Sequence, residues 1–438
     1  MIAAASGRAA LLPLAAAVLA SASPAVADTG PSGLSGAQAL KPFFQALHAL
    51  KDGRRTTPVE ILQIGDSHTA GDFISSGVRA RLQARFGEAG RGVMPPGVPF
   101  KFYGPRQVDV TQSDGWRMEP SFPMTPGRTS AFGLSGWRLV STRRGATVTM
   151  TADPEALFDR VRLCALAWRG AGDLMVEAGS SVTRVALGRG RAGPRCVSVS
   201  LRQPEKTLRI VAEGRPVTLL SFGTWRWRAG VSLSNLGVIG TELYDFAARD
   251  DDLVRAELAA YHPQLILLAY GTNEGSRKQL DVAAYEQLVR EQIRRLKRLA
   301  PGAAILVMGP GDSNTTRPDI PEDGVHDLNF DCAALTPAEL ADYPARVAAK
   351  DPALARWYPA PNLEPVREAQ RRAAAAEGVA FWDWSARMGG PCTAHKFSRP
   401  GVGLMRGDHV HFTNDGGEMI AGLLTDDLMA AYAAETGG

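Results

Sequence analysis

Two separated parts of the chain alternate apolar, strand-like runs with helical patterns. In the first part, the apolar run Val59–Ile64 precedes a stretch in which Ile74, Val78, Leu82 and Phe86 recur every four residues, which predicts a helix with one buried face. In the second part, strand-like and helical segments alternate over residues 234–240, 242–260, 264–270, 284–300, 303–309, 362–377, 379–384 and 414–434. This alternation indicates βαβ units and a parallel sheet covered by helices on both faces.

The stretch between these parts is rich in β-strand patterns. Its short runs are bounded by Gly, Pro or charged residues, and many alternate apolar with polar positions; they cover residues 146–152, 161–168, 173–178, 182–187, 195–201, 206–212 and 217–227. Such runs predict an antiparallel β-sandwich inserted into the α/β domain. Gly and Pro recur through the preceding residues 87–126, which are therefore predicted to be turn and loop.

The first 27 residues differ from the rest of the chain. Arg8 is their only charged residue, Leu11–Ala20 is apolar apart from Pro13, and residues 25–27 have the small-x-small pattern of a cleavage site. These features predict a secretory signal peptide. A membrane anchor is the alternative, but the apolar run is too short to span a bilayer comfortably. We expect a mature protein with no transmembrane segment, periplasmic or otherwise exported.

The patterns divide the chain into a signal peptide at 1–27, an α/β domain formed by 28–95 and 231–438, and an inserted β-rich domain at 96–230. The chain has 49 Lys and Arg residues against 45 Asp and Glu, a formal net charge of +4. This mild surplus argues against a dedicated nucleic-acid binder, so no nucleic-acid partner is expected. The oligomeric state is left open.

The chain has four cysteines, at positions 164, 196, 332 and 392. An even number in an oxidising compartment predicts two disulfides, for which three connectivities exist. We favour Cys164–Cys196 and Cys332–Cys392, because each pair lies within one predicted module. Metal binding by these cysteines is disfavoured, because the sequence has no Cys-x-x-Cys pair and no histidine spaced to join them.

Ser67 lies in the tripeptide Gly65-Asp66-Ser67, between the first predicted strand and the first core helix. A turn at this place holds a hydroxyl at the carboxyl end of a parallel sheet, close to the free N–H groups of a helix N-terminus. Acyl transfer requires a nucleophile in that setting. The alternative is that Asp66 and Ser67 only cap the helix.

Three later stretches also follow strand ends or precede a helix. They contain Gly240 after a strand, Asn273 in Gly-Thr-Asn-Glu after the next, and Asp408 with His411 in Asp-His-Val-His before the last helix. Strand ends of a doubly wound sheet gather at one crevice, so these residues are expected to converge on Ser67.

The four stretches together resemble the GDSL-type, or SGNH, hydrolase superfamily, whose blocks are named for Ser, Gly, Asn and His. The matching residues are Ser67, Gly240, Asn273 and His411 with Asp408, in the family's order. The chain departs from the family pattern at His68, which replaces the leucine of Gly-Asp-Ser-Leu. This variant is most similar to bacterial peptidoglycan O-acetylesterases, which also carry a carbohydrate-binding-like β-sandwich between their first and second blocks.

The resemblance implies a flavodoxin-like three-layer α/β fold and an exported serine esterase that removes O-acetyl groups from a cell-wall glycan, with peptidoglycan as the expected substrate. Ser67 would be the nucleophile, His411 the base, and Asp408 the residue that orients His411. The oxyanion hole would be formed by the N–H groups of Ser67 and Gly240 and by the Asn273 side chain. No cofactor and no metal are implied.

Neighbouring residues compete for these roles. His409 is a second candidate base, but the family pattern places the base last, at His411. Gly237 competes with Gly240, which fits the strand-ending position better. A metal site formed by Asp408, His409 and His411 would leave the other motifs unexplained. His68 is interpreted either as positioning the substrate or the loop, or as a hydrogen-bonded structural histidine.

Asp66 is interpreted as tying the Ser67 loop by accepting backbone N–H groups. Trp225 and Trp227 alternate on a predicted strand and would stack on sugar rings if exposed, although burial in the core is the favoured interpretation.

Three other functions are alternatives to an O-acetylesterase. An O-acetyltransferase would pass the same acetyl group from Ser67 to a sugar hydroxyl. A lipase or thioesterase would prefer long acyl chains. A surface protein that binds glycans through the β-rich insert would have an inert hydrolase fold.

Overall fold

The computed structural model describes residues 32–122, 131–317, 319 and 331–437. The predicted signal peptide lies outside these residues. The helices are α1 (Lys41–Lys51), α2 (Ser67–Ala70), α3 (Phe73–Phe86), α4 (Leu243–Ala247), α5 (Asp251–Tyr261), α6 (Thr272–Gly275), α7 (Val282–Leu299), α8 (Pro337–Ala341), α9 (Tyr343–Ala348), α10 (Leu363–Ala376), α11 (Trp384–Met388), α12 (Thr393–Ser398) and α13 (Asn414–Thr436).

The strands fall into an α/β group and a sandwich group. They are β1 (Leu34–Ser35), β2 (Pro58–Gly65), β3 (Gly92–Met94), β4 (Val108–Gln112), β5 (Trp116–Pro120), β6 (Trp137–Ser141), β7 (Thr147–Ala152), β8 (Phe158–Ala167), β9 (Asp173–Ala178), β10 (Ser181–Ala186), β11 (Gly193–Glu205), β12 (Thr207–Glu213), β13 (Thr218–Trp225), β14 (Gly230–Gly237), β15 (Leu265–Ala269), β16 (Ala304–Met308), β17 (Asn314–Thr315), β18 (Tyr358–Pro359) and β19 (Ala380–Trp382). Single 3₁₀ turns occupy Ala37–Leu40, Pro154–Ala156 and Pro352–Leu354.

The α/β part is built on a six-stranded sheet of order β1-β19-β16-β15-β2-β14. Its strands run parallel, except that β1 pairs antiparallel with β19. Successive side chains of β2 point to opposite faces: Val59 and Ile61 pack with α1, α3 and α13, whereas Leu62 and Ile64 pack with α5, α7 and α10. The predicted three-layer α/β fold is therefore confirmed.

The predicted helix over residues 242–260 is two helices, α4 and α5. The chain turns between them, and the Asp250 side chain caps α5 by accepting the backbone N–H groups of Asp252 and Leu253. An N-cap residue leaves the helical conformation, so a helical pattern that runs across it is divided there.

The inserted part is an antiparallel sandwich of two sheets. One has the order β10-β9-β12-β7-β4, and the other has the order β11-β8-β13-β6-β5 with β3 added on β13. The two inner faces share one apolar core, which contains Val148, Met150, Leu163 and Phe222. The predicted disulfide Cys164–Cys196 links the paired strands β8 and β11 and is confirmed.

The prediction that residues 87–126 form only turn and loop is wrong. Strands β3, β4 and β5 lie in this range, and β4 and β5 pair with β7 and β6. The Gly and Pro residues in this range lie at the ends of the short strands or outside them. Their density therefore indicated the turns but not the strands between the turns.

The two tryptophans of the predicted strand 217–227 have different surroundings. Trp225 ends β13 and is fully buried, as favoured from the sequence. Trp227 lies beyond the strand, and the guanidinium groups of Arg160 and Arg162 each lie 4.6 Å from the centre of one of its rings. Neither residue is therefore an open aromatic face on a strand.

Buried polar contacts join the sandwich to the α/β part. Glu257 of α5 accepts the Leu134 N–H at 2.6 Å and the Ser221 hydroxyl, which is also 2.7 Å from the Tyr261 hydroxyl. Residues from Ser32 onward accordingly form one compact unit. The domain boundaries at 95/96 and 230/231 remain predictions; β3, at 92–94, pairs with β13 of the sandwich.

The described residues of the long segment between β16 and α10 carry small elements of their own. Strands β17 and β18 pair antiparallel, and α8 and α9 lie between them. The second predicted disulfide, Cys332–Cys392, is confirmed and ties this segment to the residue before α12. None of the helices in the part of the chain that the structure describes is long and apolar enough to cross a membrane.

Candidate active site

Ser67 begins the short helix α2 and is separated by one residue from β2, which lies between β15 and β14 in the sheet. Asp66 precedes it and accepts the backbone N–H of His68 at 2.9 Å, as expected for a residue that ties this turn. A Cβ atom on Gly65 would lie 2.3 Å from both the Ala269 carbonyl oxygen and the Thr69 hydroxyl. Only glycine fits there, and the close packing fixes the point at which Ser67 leaves the sheet.

Ser67, His411 and Asp408 form a continuous hydrogen-bonded chain. The Ser67 Oγ atom is 3.0 Å from His411 Nε2, and His411 Nδ1 is 2.8 Å from Asp408 Oδ2. A carboxylate only accepts, so Nδ1 carries the proton of the neutral imidazole. Nε2 is then the acceptor for the Ser67 hydroxyl, which is the arrangement that a general base requires.

The Asp408 side chain is held in place by the backbone of its own loop. Its Oδ1 atom accepts the backbone N–H groups of Val410 and His411, each at 2.9 Å. Burial alone would raise the pKa of Asp408, but hydrogen bonds from the His411 ring and from these N–H groups outweigh it and hold the pKa well below its usual range. Asp408 is therefore charged and can stabilise a positive charge on His411.

Gly240 and Asn273 follow the two strands that flank β2. In the sheet, Gly65 is opposite Gly237 of β14 on one side and Ala269 of β15 on the other. Gly240 is the third residue after β14, and Asn273 lies in α6, just after β15. The topology thus brings the three predicted motifs to one edge of the sheet.

The loops that carry Gly240 and Asn273 are joined. The Asn273 side-chain amide donates to the Thr241 carbonyl oxygen at 2.8 Å, which leaves its second N–H available. Gly240 is partly exposed and has a φ of 78°, a backbone conformation that glycine adopts readily.

Gly237 has a different environment from Gly240. It is buried within β14, and a Cβ atom there would lie 2.2 Å from the Ala70 nitrogen. Its role in this fold is to let α2 pack closely on the sheet.

His409 points away from the Ser67 chain. Its ring centre is 3.7 Å from that of Trp357 and 5.2 Å from that of His395. Burial and the neighbouring His395 lower the pKa of His409 to about 4, so it is neutral near pH 7. Among the residues described here, no group of three or more His, Cys, Asp or Glu side chains is placed to hold a metal ion.

His68 lies at the centre of the site rather than at its margin. Its Nε2 atom is 2.9 Å from the Val410 carbonyl oxygen, and its Nδ1 atom is 3.5 Å from the Thr272 hydroxyl and 3.4 Å from Asp66 Oδ1. The predicted structural role of a hydrogen-bonded histidine is consistent with these contacts.

A buried charge cluster behind α2 was missed in the sequence. Asp72 accepts the guanidinium groups of Arg79 at 2.7 Å and Arg91 at 3.1 Å, and all three side chains are about 1% exposed. Arg91 also donates to Asn235 at 2.6 Å. The helical spacing places Arg79 off the apolar face, yet it is fully buried. The signal available was Asp72, an acidic residue immediately before an apolar helix.

A cavity of about 260 Å³ adjoins His411. Its lining consists mostly of short polar side chains: Ser276, Ser313, Asn314, Thr315, Ala360, Asp408, Val410 and His411. The Ser313 hydroxyl is buried and has no hydrogen-bond partner among the described residues. The cavity thus offers hydrogen-bonding groups beside His411.

One protein family matches part of the chain. Residues 222–419 match the GDSL-like Lipase/Acylhydrolase family. The match begins near the end of the sandwich, so it includes Gly240, Asn273, Asp408 and His411 and excludes Ser67. No match is found among curated proteins.

Solved structures with a similar fold include a peptidoglycan O-acetylesterase, with 24% identity and a TM-score of 0.70 over 92% of this chain and 100% of that chain. Two others have low TM-scores. A salicylyl-acyltransferase from a tetracycline biosynthetic pathway has 12% identity and a TM-score of 0.30, over 77% of this chain and 96% of its own.

The other is a family 2 carbohydrate esterase with a carbohydrate-binding domain, from Corynascus thermopiles (Myceliophthora fergusii). It has 12% identity and a TM-score of 0.29, over 72% of this chain and 99% of its own. Residues 222–419 are therefore similar to the GDSL-like Lipase/Acylhydrolase family, and the architecture of the chain is that of the SGNH hydrolase fold.

Proposed function

We propose that this protein is an exported serine esterase that removes O-acetyl groups from a cell-wall glycan, with peptidoglycan as the substrate. The observation that carries the proposal is the chain of contacts from Ser67 through His411 to Asp408, at 3.0 and 2.8 Å. These are the distances at which a base takes the proton of a nucleophilic hydroxyl.

The reaction has two halves. The Ser67 oxygen attacks the acetyl carbonyl carbon while its proton passes to His411 Nε2. The tetrahedral intermediate collapses, its bond to the sugar oxygen breaks, and His411 returns the proton to that oxygen. A water molecule then attacks the acetyl-Ser67 ester with His411 again as base, which releases acetate and restores the hydroxyl.

The negative oxygen formed in each half requires hydrogen-bond donors. The backbone N–H groups of Ser67 and Gly240 and the second N–H of Asn273 are the proposed donors. The contact between Asn273 and Thr241 supports this assignment, because it fixes the amide in one orientation before any substrate arrives. Preorganised donors of this kind are the largest single contribution in many acyl-transfer enzymes.

The cavity beside His411 supports a short acyl group on a polyhydroxylated partner. At about 260 Å³ it lies just below the range of pockets that hold drug-sized ligands, and serine, threonine and asparagine side chains form part of its lining. A long acyl chain would require extended apolar walls. The fold similarity to a peptidoglycan O-acetylesterase, which extends over 92% of this chain, supports peptidoglycan as the glycan.

Two further parts of the proposal concern the predicted signal peptide and the β-sandwich. The signal-peptide pattern and the two disulfides support export to the periplasm or another oxidising compartment. The position of the sandwich between the first and second motifs supports a carbohydrate-binding role. Trp225 is buried and is therefore not available to stack on a sugar ring.

The test is acetate release from O-acetylated peptidoglycan and from a short-chain aryl acetate. Wild type is compared with Ser67→Ala and with Ser200→Ala, a control at an exposed serine of β11. We expect release by wild type and Ser200→Ala and none by Ser67→Ala. Unchanged release by Ser67→Ala would overturn the proposal. Mass spectrometry of added oligosaccharides reports transfer to a sugar, and an ester series of increasing acyl length reports lipase activity.

A further inference from the structure

His68 occupies the position at which the chain departs from the Gly-Asp-Ser-Leu pattern. Its ring is 8% exposed and contacts three of the loops that form the site. It follows Ser67 on α2, it approaches Thr272 beside Asn273, and it reaches Val410 beside His411. A leucine at this position would make none of the polar contacts.

The contact with Val410 has a defined direction. A carbonyl oxygen only accepts, so His68 Nε2 carries the proton and donates to Val410 at 2.9 Å. The Val410 carbonyl group belongs to the peptide bond between Val410 and His411. The hydrogen bond therefore acts directly on the backbone from which the His411 ring extends.

The ring of His68 also restricts the ring of His411. The two ring centres are 5.5 Å apart with an interplanar angle of 29°, so the rings are stacked. On its other sides His68 meets the edges of Trp384 and Phe412, with ring centres 5.2 and 5.9 Å away. His68 is thus packed among three aromatic rings, in arrangements that stabilise such pairs.

The Nδ1 atom of His68 completes the arrangement. In the neutral ring it accepts the Thr272 hydroxyl, and in the charged ring it donates to Asp66. Burial alone would lower the pKa of His68, but the hydrogen bond to Asp66 and its charge, with the Val410 carbonyl and Asp408, raise it overall. Both forms keep the proton on Nε2, so the bond to Val410 is present in either.

We propose that His68 is a positioning residue that holds His411 in line with Ser67 through the Val410 carbonyl oxygen. This inference rests on the proposed function, because it concerns the alignment of the same base and nucleophile. It gives His68 no direct contact with the substrate. Loss of the hydrogen bond should therefore slow the chemical step and leave substrate affinity unchanged.

The experiment compares three substitutions. His68→Leu removes the polar contacts and restores the residue of the Gly-Asp-Ser-Leu pattern. His68→Asn places an amide near the Nδ1 position, too short to reach Val410, whereas His68→Gln extends an amide N–H to the Nε2 position. His48→Gln, at a distant histidine of α1 that pairs with Asp52, is the control.

We expect His68→Leu and His68→Asn to lower kcat on a short-chain aryl acetate by about 10- to 100-fold with KM unchanged, because small misplacements of reacting groups cost rates of that order. His68→Gln should stay within about threefold of wild type, since it retains the donor. Wild-type kcat in the Leu and Asn variants, or a loss in His68→Gln equal to that in His68→Leu, would overturn the proposal.

A second measurement separates this inference from the proposed function. We expect the proton shared by His411 Nδ1 and Asp408, whose atoms are 2.8 Å apart, to give a downfield ¹H NMR signal that can be recorded without turnover. It should persist in His68→Gln and broaden or disappear in His68→Leu, with thermal melting showing that both variants are folded. An unchanged signal in His68→Leu would contradict positioning, whatever the protein's substrate.

Discussion

The backbone N–H of Leu243 donates to a carboxyl oxygen of Glu274 at 2.8 Å, within the protein interior. Leu243 begins the helix that follows Gly240, and Glu274 follows Asn273. The bond therefore joins the two loops proposed to form the oxyanion hole, in addition to the contact between Asn273 and Thr241. The relative position of these loops is set by buried hydrogen bonds.

The Glu274 carboxyl makes stability depend on pH. Burial raises the pKa of Glu274 to about 8, against 4.5 for an exposed glutamate, so the folded protein retains a proton that the unfolded chain has released. Stability from this group is present below pH 4.5 and is lost as the pH rises through 8, on the order of 3–5 kcal/mol in total.

Glu274→Gln should remove this loss. We expect the free energy of unfolding of the variant, measured in urea, to fall less than that of wild type between pH 5 and pH 8.5. Glu364→Gln, at an exposed position of α10, is the matched control and should behave as wild type. Parallel pH dependence in wild type and Glu274→Gln would contradict the prediction.

Replacement of Asn273 by Ala should lower kcat by about 10²- to 10³-fold, because one donor to the negatively charged oxygen is removed. KM should change little, since the contact strengthens only as charge develops. Steady-state kinetics on a short-chain aryl acetate provide the measurement. A variant with kcat near that of wild type would remove Asn273 from the proposed oxyanion hole.

Replacement of Asp408 by Asn should lower kcat by about 10⁴-fold, as expected when the residue that orients the base is neutralised. An amide can donate where the carboxylate only accepts, and this permits the wrong proton arrangement on His411. The kinetic measurement should be paired with thermal melting. Retention of more than about a tenth of the wild-type kcat would exclude Asp408 from the proposed role.

The Asp72 cluster predicts an effect on stability. Asp72→Ala leaves the guanidinium groups of Arg79 and Arg91 buried beside each other, and breaking a buried pair in this way costs about 3–5 kcal/mol. Urea unfolding at pH 7 measures the difference. Asp109→Ala, on an exposed position of β4, is the control and should differ from wild type by less than about 0.5 kcal/mol. Equal unfolding free energies for the two variants would refute the prediction.

Much of the α/β fold is readable from the sequence, because buried strands and amphipathic helices have different periodicities. All eight residues of β2 are buried, and Ile74, Val78 and Leu82 all face the core. Strand β3 is the counterexample. It has only three residues and lies among glycines and prolines, so it is too short to show a hydrophobic periodicity.

The order of the motifs predicts which residues meet at the site, but not what supports them. Ser67, Asp408 and His411 meet as the motifs indicate, and their catalytic roles remain a prediction. Asp72, before an apolar helix, indicates a buried charge but does not identify Arg79 as its partner. Another partner of Arg79 is the carbonyl oxygen of Leu233, far away in sequence. The contact of His68 with Val410 likewise depends on loops whose approach the sequence does not specify.

The insertion of the sandwich between β2 and β14 has a consequence for biogenesis. Strand β2 is made early, yet its two neighbours in the sheet, β14 and β15, are made only after the whole sandwich. Until then the edges of β2 have no partner, and contacts between such distant segments form slowly. In the growing chain, β2 therefore lacks both of its sheet neighbours for a long time and can pair with the wrong segment. The yield of folded protein should depend on how quickly the sandwich folds.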